Sequence, residues 1–359
     1  FFGYDLKNTI EKLESTNYDG LGFPELYFFQ PKKMFLLKDE SVEVHYLNDY
    51  SNEIDTDLNT IFSDALVDGS TVEPTAASDI KLKMRIHKDA YFQKLDTLLN
   101  HIHRGDIYEA NFCQEFYAEK TEIDPVAVYE NLNSISKPPF ATFLKLGNRY
   151  LLSASPERYL MKNGNHVLSQ PIKGTEKRAN DPEEDQQLVY ELEHNPKERA
   201  ENIMIVDLVR NDLSRSAIKG TVKVDELCKV YTFEQVHQLI STVSCQVSDH
   251  IHPVDLIKDT FPMGSMTGAP KISAMKIIEN LEETKRGIFS GAVGYFSPQG
   301  DFDFNVVIRS ILYNSTRNYV SFSVGGAITS QSNPEQEYEE CLLKAKAMRQ
   351  VLLDETTNE

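Results

Sequence analysis

Two stretches of this chain repeat one arrangement of acidic residues. Asn195-Pro196-Lys197-Glu198-Arg199-Ala200-Glu201 opens with an N-cap asparagine, a proline at the first helical position and glutamates three apart. Asn333-Pro334-Glu335-Gln336-Glu337-Tyr338-Glu339-Glu340 opens in the same way. Residues i and i+3 share a helix face, so Glu198 with Glu201 and Glu337 with Glu340 each make a carboxylate pair. Two readings stay open. Acidic residues favour the first turn of a helix, and Glu198 is placed for a capping box with Asn195. Two facing pairs would instead suit Mg2+, which takes oxygen ligands and bridges to an anionic substrate.

A single lysine is the second candidate. The strand-like run His166-Val167-Leu168-Ser169 leads into Gln170-Pro171-Ile172-Lys173-Gly174-Thr175. Pro171 has no N–H for a ladder, and Gly174 is expected to turn the chain. Lys173 is either a solvated turn lysine or an amine held partly desolvated, with a lowered pKa and a nucleophilic nitrogen. Arg309, which in Val306-Val307-Ile308-Arg309 interrupts a strongly apolar strand, is either a paired sheet arginine or a bidentate clamp for a carboxylate. Gly325-Gly326 ends a strand where a backbone can approach a ligand. The loop Gly264-Ser265-Met266-Thr267-Gly268-Ala269-Pro270-Lys271 fails the phosphate-loop pattern, because Ala269-Pro270 separates Gly268 from Lys271. The helix start that follows it can still hold a carboxylate. His237 by itself reads as a satisfied core residue. No nucleophile elbow of the Gly-x-Ser-x-Gly or Gly-x-Cys-x-Gly kind occurs.

These residues need a scaffold, and apolar periodicity outlines one. Helical spacing marks residues 89–103, closed by Arg104-Gly105, and also 124–132, 182–194, 196–212, 253–260, 272–281 and 334–353. Strands are expected at 26–30, 34–37, 42–47, 107–117, 140–146, 149–153, 221–224 and 235–247, and across 288–328. Gly147-Asn148 and Asn163-Gly164 close hairpins, and Pro298-Gln299-Gly300 makes a turn. Residues 48–79 are acidic and rich in Ser and Thr, and read as a surface connection. Antiparallel strands interrupted by helices, without βαβ alternation, predict an α/β protein of the α+β type. Two packed, mainly antiparallel β-sheets would be flanked by helices.

Composition narrows the partners. Thirty-seven Lys and Arg against 55 Asp and Glu leave a net charge of −18 over 359 residues. That excludes a nucleic-acid or anionic-membrane surface, and an anionic ligand would need local positive charge or a metal. The four cysteines are widely spread and read as buried thiols of a reducing cytosol, which makes the expected location cytoplasmic. No apolar stretch reaches membrane length. Phe1-Phe2-Gly3-Tyr4-Asp5 has neither a Met nor a signal pattern and reads as an element already in progress.

The run Arg199-Ala200-Glu201-Asn202-Ile203-Met204-Ile205-Val206-Asp207-Leu208-Val209-Arg210-Asn211-Asp212 resembles the signature of the chorismate-utilising enzymes. So do Ser155-Pro156-Glu157-Arg158, the Pro171-to-Thr175 segment, Met266 to Lys271, Gly291-Ala292-Val293-Gly294-Tyr295 and Val307-Ile308-Arg309-Ser310. The motifs follow the family's order from about residue 85 to 350. The resemblance implies one chorismate-utilising domain over 1–359. It would comprise a catalytic core at 85–350 and a partial N-terminal region at 1–80, with the connection at 48–79.

By that resemblance, Glu198, Glu201, Glu337 and Glu340 hold Mg2+, which takes the ring carboxylate, and Lys344 pairs with their charge. Tyr295, Arg309, Gly325 and Gly326 hold the enolpyruvyl carboxylate. Gly174, Thr175, Thr267 and His237 contact and orient the substrate. Neutral Lys173 adds at C2 while the C4 hydroxyl leaves with Glu157 as acid. Ammonia then adds at C4 and expels the lysine. Lys173 points to this amination branch, which serves para-aminobenzoate and folate synthesis, because anthranilate-forming members usually carry alanine there. The anthranilate route is the alternative enzyme, and a chorismate-binding regulatory subunit is the alternative without catalysis. Without a nucleophile elbow in the chain, ammonia is expected from a glutamine amidotransferase subunit. Two positions depart from the family pattern. Glu109 stands where this branch more often shows glutamine and isochorismate-forming members use lysine, and Ala327 stands where glycine is common.

Overall fold

The computed structural model describes residues 1–66 and 80–353. The chain divides into two compact units, Tyr27–Ala77 and a larger one made of Phe1–Leu26 with Ser78–Glu359. Residues 1–26, which include the one-turn helix α1 (Lys7–Ile10), thus belong with the larger unit, and the division does not fall at residue 80.

The smaller unit holds the antiparallel hairpin β1 (Lys33–Lys38) and β2 (Ser41–Tyr46), then helix α2 (Ile54–Leu66). Asp57 joins them, 2.6 Å from Lys33 Nζ and accepting from Tyr46 Oη at 2.7 Å. Residues 54–66 were expected within a structureless connection and are helical. Ile54, Leu58, Ile61 and Phe62 fall at helical spacing, and Asp55 and Asp57 favour its first turn. Residues 67–79 of that expected connection lie outside the described residues. The strand expected at 26–30 reduces to one bridge, Leu26 with Phe2.

In the larger unit the chain runs through β3 (Lys83–Met84), α3 (Lys88–His103), β4 (Glu109–Glu119), α4 (Pro125–Ser136), β5 (Phe140–Leu146) and β6 (Arg149–Ser155). It continues with β7 (Arg158–Asn163), β8 (His166–Gln170), β9 (Ile172–Lys177), α5 (Pro182–His194), α6 (Pro196–Ser214), β10 (Lys223–Thr232) and β11 (Val236–Gln246). The last elements are α7 (Pro253–Thr260), β12 (Gly268–Ala269), α8 (Lys271–Leu281), β13 (Gly294–Phe296), β14 (Phe302–Asn305), β15 (Ser310–Asn314), β16 (Tyr319–Thr329) and α9 (Pro334–Leu353).

One sheet has the order β10-β11-β8-β7-β14-β13, with β9 also on β11; the other has the order β12-β4-β16-β15-β6-β5, with β3 on β4. Every pairing is antiparallel. The main core draws on both sheets: Leu151, Leu312 and Cys113 from one, Val167, Val243 and Phe304 from the other, with Ile205 and Val209 of α6. A second cluster seats Cys341, Ala345 and Met348 of α9 on β4 and β16, where Phe116 and Phe322 stack at 5.1 Å. A third packs Tyr91, Leu95 and Leu98 of α3 and Ala274 and Ile278 of α8 on the other end of β4. Helices α6 and α9, which carry the two glutamate pairs, are therefore each anchored on a sheet by an apolar stripe.

Candidate active site

Strands β8 and β9 are one strand interrupted at Pro171, since both pair with β11. Pro171 gives no N–H, but its carbonyl accepts from Ser241 N at 3.2 Å, so the interruption stays attached to the sheet. Gly174 does not turn the chain as expected. It lies inside β9 with φ +83°, where the register against β11 shifts between Gln238 and Ile240. Such a bulge re-aims side chains at a strand. A Cβ on Gly174 would lie 3.1 Å from Glu198 Oε2, so the glycine also admits the first turn of α6.

Lys173 points across to the second sheet, and its Nζ is 3.4 Å from Oε1 of Glu109, the first residue of β4. Glu157 sits in the link from β6 to β7, where the chain passes between sheets. Its buried carboxyl accepts from Ser265 and from the Ile172 N–H, and burial pushes it up to about 7. The expectation of a lowered lysine pKa is corrected here. Burial does pull Lys173 down, but the carboxylates of Glu109, Glu201 and Glu157 outweigh it and hold the ammonium above its ordinary value. Burial likewise raises Glu109, whose Oε2 has no hydrogen-bond partner.

Each glutamate pair begins a capped helix. Asn195 Oδ1 accepts from Lys197 N and Glu198 N at 3.0 and 3.2 Å, and Asn333 Oδ1 from Glu335 N and Gln336 N at 3.0 and 3.2 Å. The Asn195 N–H goes to Leu192 O, so no capping box occupies Glu198. Asn202, on the same helix, donates to Leu239 O and accepts from Ser241, which fixes α6 against β11. Lys197 Nζ lies 3.9 Å from Glu201 Oε1 and 3.6 Å from Glu337 Oε1, between the pairs. Burial raises Glu198, Glu201 and Glu337, Glu201 to about 7, and Glu340 adds to the rise at Glu198 and Glu337. Glu340 is lowered, because Lys344 Nζ at 2.6 Å outweighs its burial.

Among the described residues no three such side chains already stand as a metal-holding set. The donor chemistry nonetheless fits an oxygen-seeking cation: the four acids are all carboxylates, they repel one another, and Glu201 Oε1 is buried without a hydrogen-bond partner. On β16, a Cβ at Gly326 would lie 3.2 Å from Glu337 Oε2 and 3.9 Å from Lys344 Nζ, so its bare face turns to this cluster. Gly325 faces the other way. A Cβ there would strike Phe112 O at 2.4 Å, so its missing side chain serves β4 packing. Ala327, the next residue, is buried in the same strand.

Arg309 was expected to interrupt an apolar strand. It lies instead ahead of β15 with φ +52°, and its guanidinium donates to Lys344 O at 3.4 Å. Burial lowers it, and no ion pair to a carboxylate forms among the described residues, which argues against the paired sheet arginine. Lys344 Nζ also donates to Gly325 O at 3.0 Å. His237 is spoken for: Nε2 faces Asp185 Oδ1 at 2.9 Å and Nδ1 faces Thr232 Oγ1 at 3.0 Å. Both nitrogens are engaged, one by Asp185 of α5 and one by Thr232 of β10, so the expected part in orienting a substrate is corrected to a structural one. The Thr267 hydroxyl is likewise spent on Met263 O and Gly264 O, at 3.3 and 3.2 Å, and does not reach outward. Thr175 and Tyr295 are exposed.

Sequence reasoning named Glu109 only as a departure from the family pattern, without a role, and left Lys197, Ser265 and Arg286 out of the site. Glu109 carried a signal, an acid opening an apolar strand. Arg286 carried none, yet it is fully buried and holds Glu282 through Nε and Nη2 at 2.9 and 2.6 Å. It also donates to Met266 O and Asn111 O, both at 2.7 Å, and so ties the 264–267 loop to β4.

Two antiparallel sheets that meet at a lysine ringed by carboxylates, with acidic pairs on two helix starts beside it, define an enzyme site for a small polar substrate. The chain belongs to the chorismate binding enzyme family, whose sequence profile it matches over residues 1–350. It is 37% identical over 343 residues to "Aminodeoxychorismate synthase component 1" of Salmonella typhimurium, covering 94% of this chain and 73% of that one. The protein of the same name from Escherichia coli is 39% identical over 266 residues, 74% of this chain and 58% of that one. Among solved structures, anthranilate synthase component I from Streptococcus pneumoniae superposes with a TM-score of 0.85 at 30% identity, over 97% of this chain and 79% of that one.

Proposed function

We propose that this chain aminates chorismate at C4 to give 4-amino-4-deoxychorismate, as the synthase component of an aminodeoxychorismate synthase. The observation that carries the reading is Lys173 itself, a largely buried primary amine at a bulged strand, surrounded by Glu109, Glu157 and Glu201. The names of the Salmonella and Escherichia relatives support it.

Lys173 Nζ adds to C2 of the ring. Glu157, whose carboxyl is pushed up to about 7, is protonated in a large share of molecules near neutrality and gives its proton to the departing C4 hydroxyl. Ammonia then adds at C4 and the lysine leaves, with Glu157 taking the proton that ammonia sheds. Splitting the displacement in two is the gain from covalent catalysis. Arg309 and the Gly326 backbone are offered to the enolpyruvyl carboxylate. Glu198, Glu201, Glu337 and Glu340 would hold Mg2+, which supplies positive charge to anchor the ring carboxylate of an anionic substrate on a chain of net charge −18. Ammonia comes from a separate glutamine amidotransferase subunit.

The Streptococcus structure favours a second reading, the anthranilate route. Incubation with chorismate, Mg2+ and ammonium chloride separates the two. We expect an aminated product that retains the enolpyruvyl group; anthranilate fluorescence with no added lyase would overturn the reading.

A further inference from the structure

A lysine side chain is an ammonium at neutral pH, and an ammonium has no lone pair to attack carbon. Some group must take its proton, and the lysine side chain is only 13% exposed. Three acids face Lys173 from three elements: Glu157 from the β6–β7 link, Glu201 from α6 and Glu109 from β4, while Glu198 and Glu340 feel its charge from farther off. Glu157 is committed to the leaving hydroxyl, and Glu201 is committed to the acidic cluster. Among the described residues, the acceptor hydrogen-bonded to Nζ is Glu109 Oε1, at 3.4 Å.

The surroundings of Glu109 suit proton traffic. The residue is 1% exposed, and its other oxygen, Oε2, has no partner. Its backbone is held on both sides, by Thr329 of β16 and Ala269 of β12. The second contact is possible only because Gly268 lacks a side chain: a Cβ there would lie 2.2 Å from Glu109 O. The sheet thus fixes this carboxyl against the lysine, while its free oxygen stays available.

We propose that Glu109 is the base of the covalent step, taking the proton from Lys173 Nζ as the amine attacks and returning it when the amine leaves. This rests on the amination reading above. One proton moves from Nζ to Glu109, which turns an ammonium–carboxylate pair into an amine and a carboxylic acid with no change of net charge. The amine lone pair forms the Nζ–C2 bond, the ring double bonds shift, and the C4–O bond breaks with the Glu157 proton, releasing water. In the return half ammonia forms the N–C4 bond and the Nζ–C2 bond breaks. Ammonia's extra proton goes to Glu157, and the Glu109 proton goes back to Nζ. The sum is chorismate plus ammonia to aminated product plus water.

The test compares wild type, Glu109→Gln and Glu109→Asp with chorismate, Mg2+ and ammonium between pH 6.5 and 9, after circular dichroism has shown each to be folded. Glutamine keeps the size and a hydrogen bond but accepts no proton. We expect its kcat to fall about 100-fold at pH 7, with KM for chorismate within twofold. The deficit should shrink as pH rises and solvent removes the lysine proton, and aspartate should restore part of the rate. A mere counter-charge predicts the opposite. Removing it would ease deprotonation of Lys173, so Glu109→Gln turning over as fast as wild type or faster at pH 7 overturns the proposal. Absence of aminated product from wild type would instead sink the amination reading itself, so the two failures are distinguishable.

Discussion

At the scale of single residues, the site turns on how burial and charge share protons. Lys173 is the clearest case: desolvation alone would lower its pKa, yet three acids reverse the direction. Replacing it by alanine is expected to lower amination by orders of magnitude while chorismate binding, followed by calorimetry, weakens little; unchanged turnover would remove Lys173 from the mechanism. Glu157 makes a pH prediction. Its carboxyl is raised from 4.5 to about 7, so the acid form is present below about 7 and lost above it. The amination rate should therefore fall as pH rises through 7, and Glu157→Gln should lose that limb along with about 100-fold in rate. Stability follows the same sign. Between pH 4.5 and 7 the folded chain keeps a proton that the unfolded chain releases, so stability falls as pH rises across that window. Urea midpoints at pH 5 and 7.5 should show a smaller drop in Glu157→Gln than in wild type.

At the scale of elements, what matters is how strands from two sheets are brought to one lysine. Pro171 splits β8 from β9 without detaching either from β11, and Gly174 bulges β9 toward α6. On the facing sheet, Arg286 and Glu282 hold β4 and the 264–267 loop together from inside the core. Arg286→Leu strands a buried carboxylate, and we expect a loss of about 3–5 kcal/mol in denaturant unfolding. Replacing both partners by leucine should cost much less, because no unpaired charge remains. The double variant is then a clean probe of position. It should stay folded yet aminate more slowly, since Glu109, Ser265 and Thr267 lose their common support. Full activity in that variant would show that the pair serves stability alone.

At the scale of the whole molecule, the acidic balance becomes intelligible once the two helix starts are seen beside one another. Four carboxylates from α6 and α9, bridged by Lys197, leave one buried oxygen without a hydrogen-bond partner. Mg2+ at about 100 times its Kd is expected to raise unfolding stability by about 2.7 kcal/mol, measured as a shift in Tm that EDTA reverses. Glu201→Gln with Glu337→Gln should abolish the shift; a shift that survives would place the ion elsewhere. The purified chain should use ammonium salts and ignore glutamine until an amidotransferase is added, and product from glutamine alone would refute the need for that partner.

Periodicity and punctuation were enough to locate most helices and hairpins, because caps, prolines and Asn-Gly turns act over a few residues. The expected start of α7 at Pro253 and the ends of α5 need no more than that. Helical spacing likewise marked the two glutamate pairs and strand-end punctuation marked Lys173, while Glu157 was named only through the family resemblance. The helix at 54–66 was missed because acidic, hydroxyl-rich composition masked its apolar spacing. The rest depended on partners far away in the chain. Which way the pKa of Lys173 shifts is decided by Glu109 and Glu201, 64 and 28 positions away, and whether His237 is free is decided by Asp185 and Thr232 on neighbouring elements. Local sequence determines which elements form and which side chains they offer. Only the packing of two sheets decides which of those side chains share a proton, because burial and Coulomb interactions depend on distance in space, not along the chain.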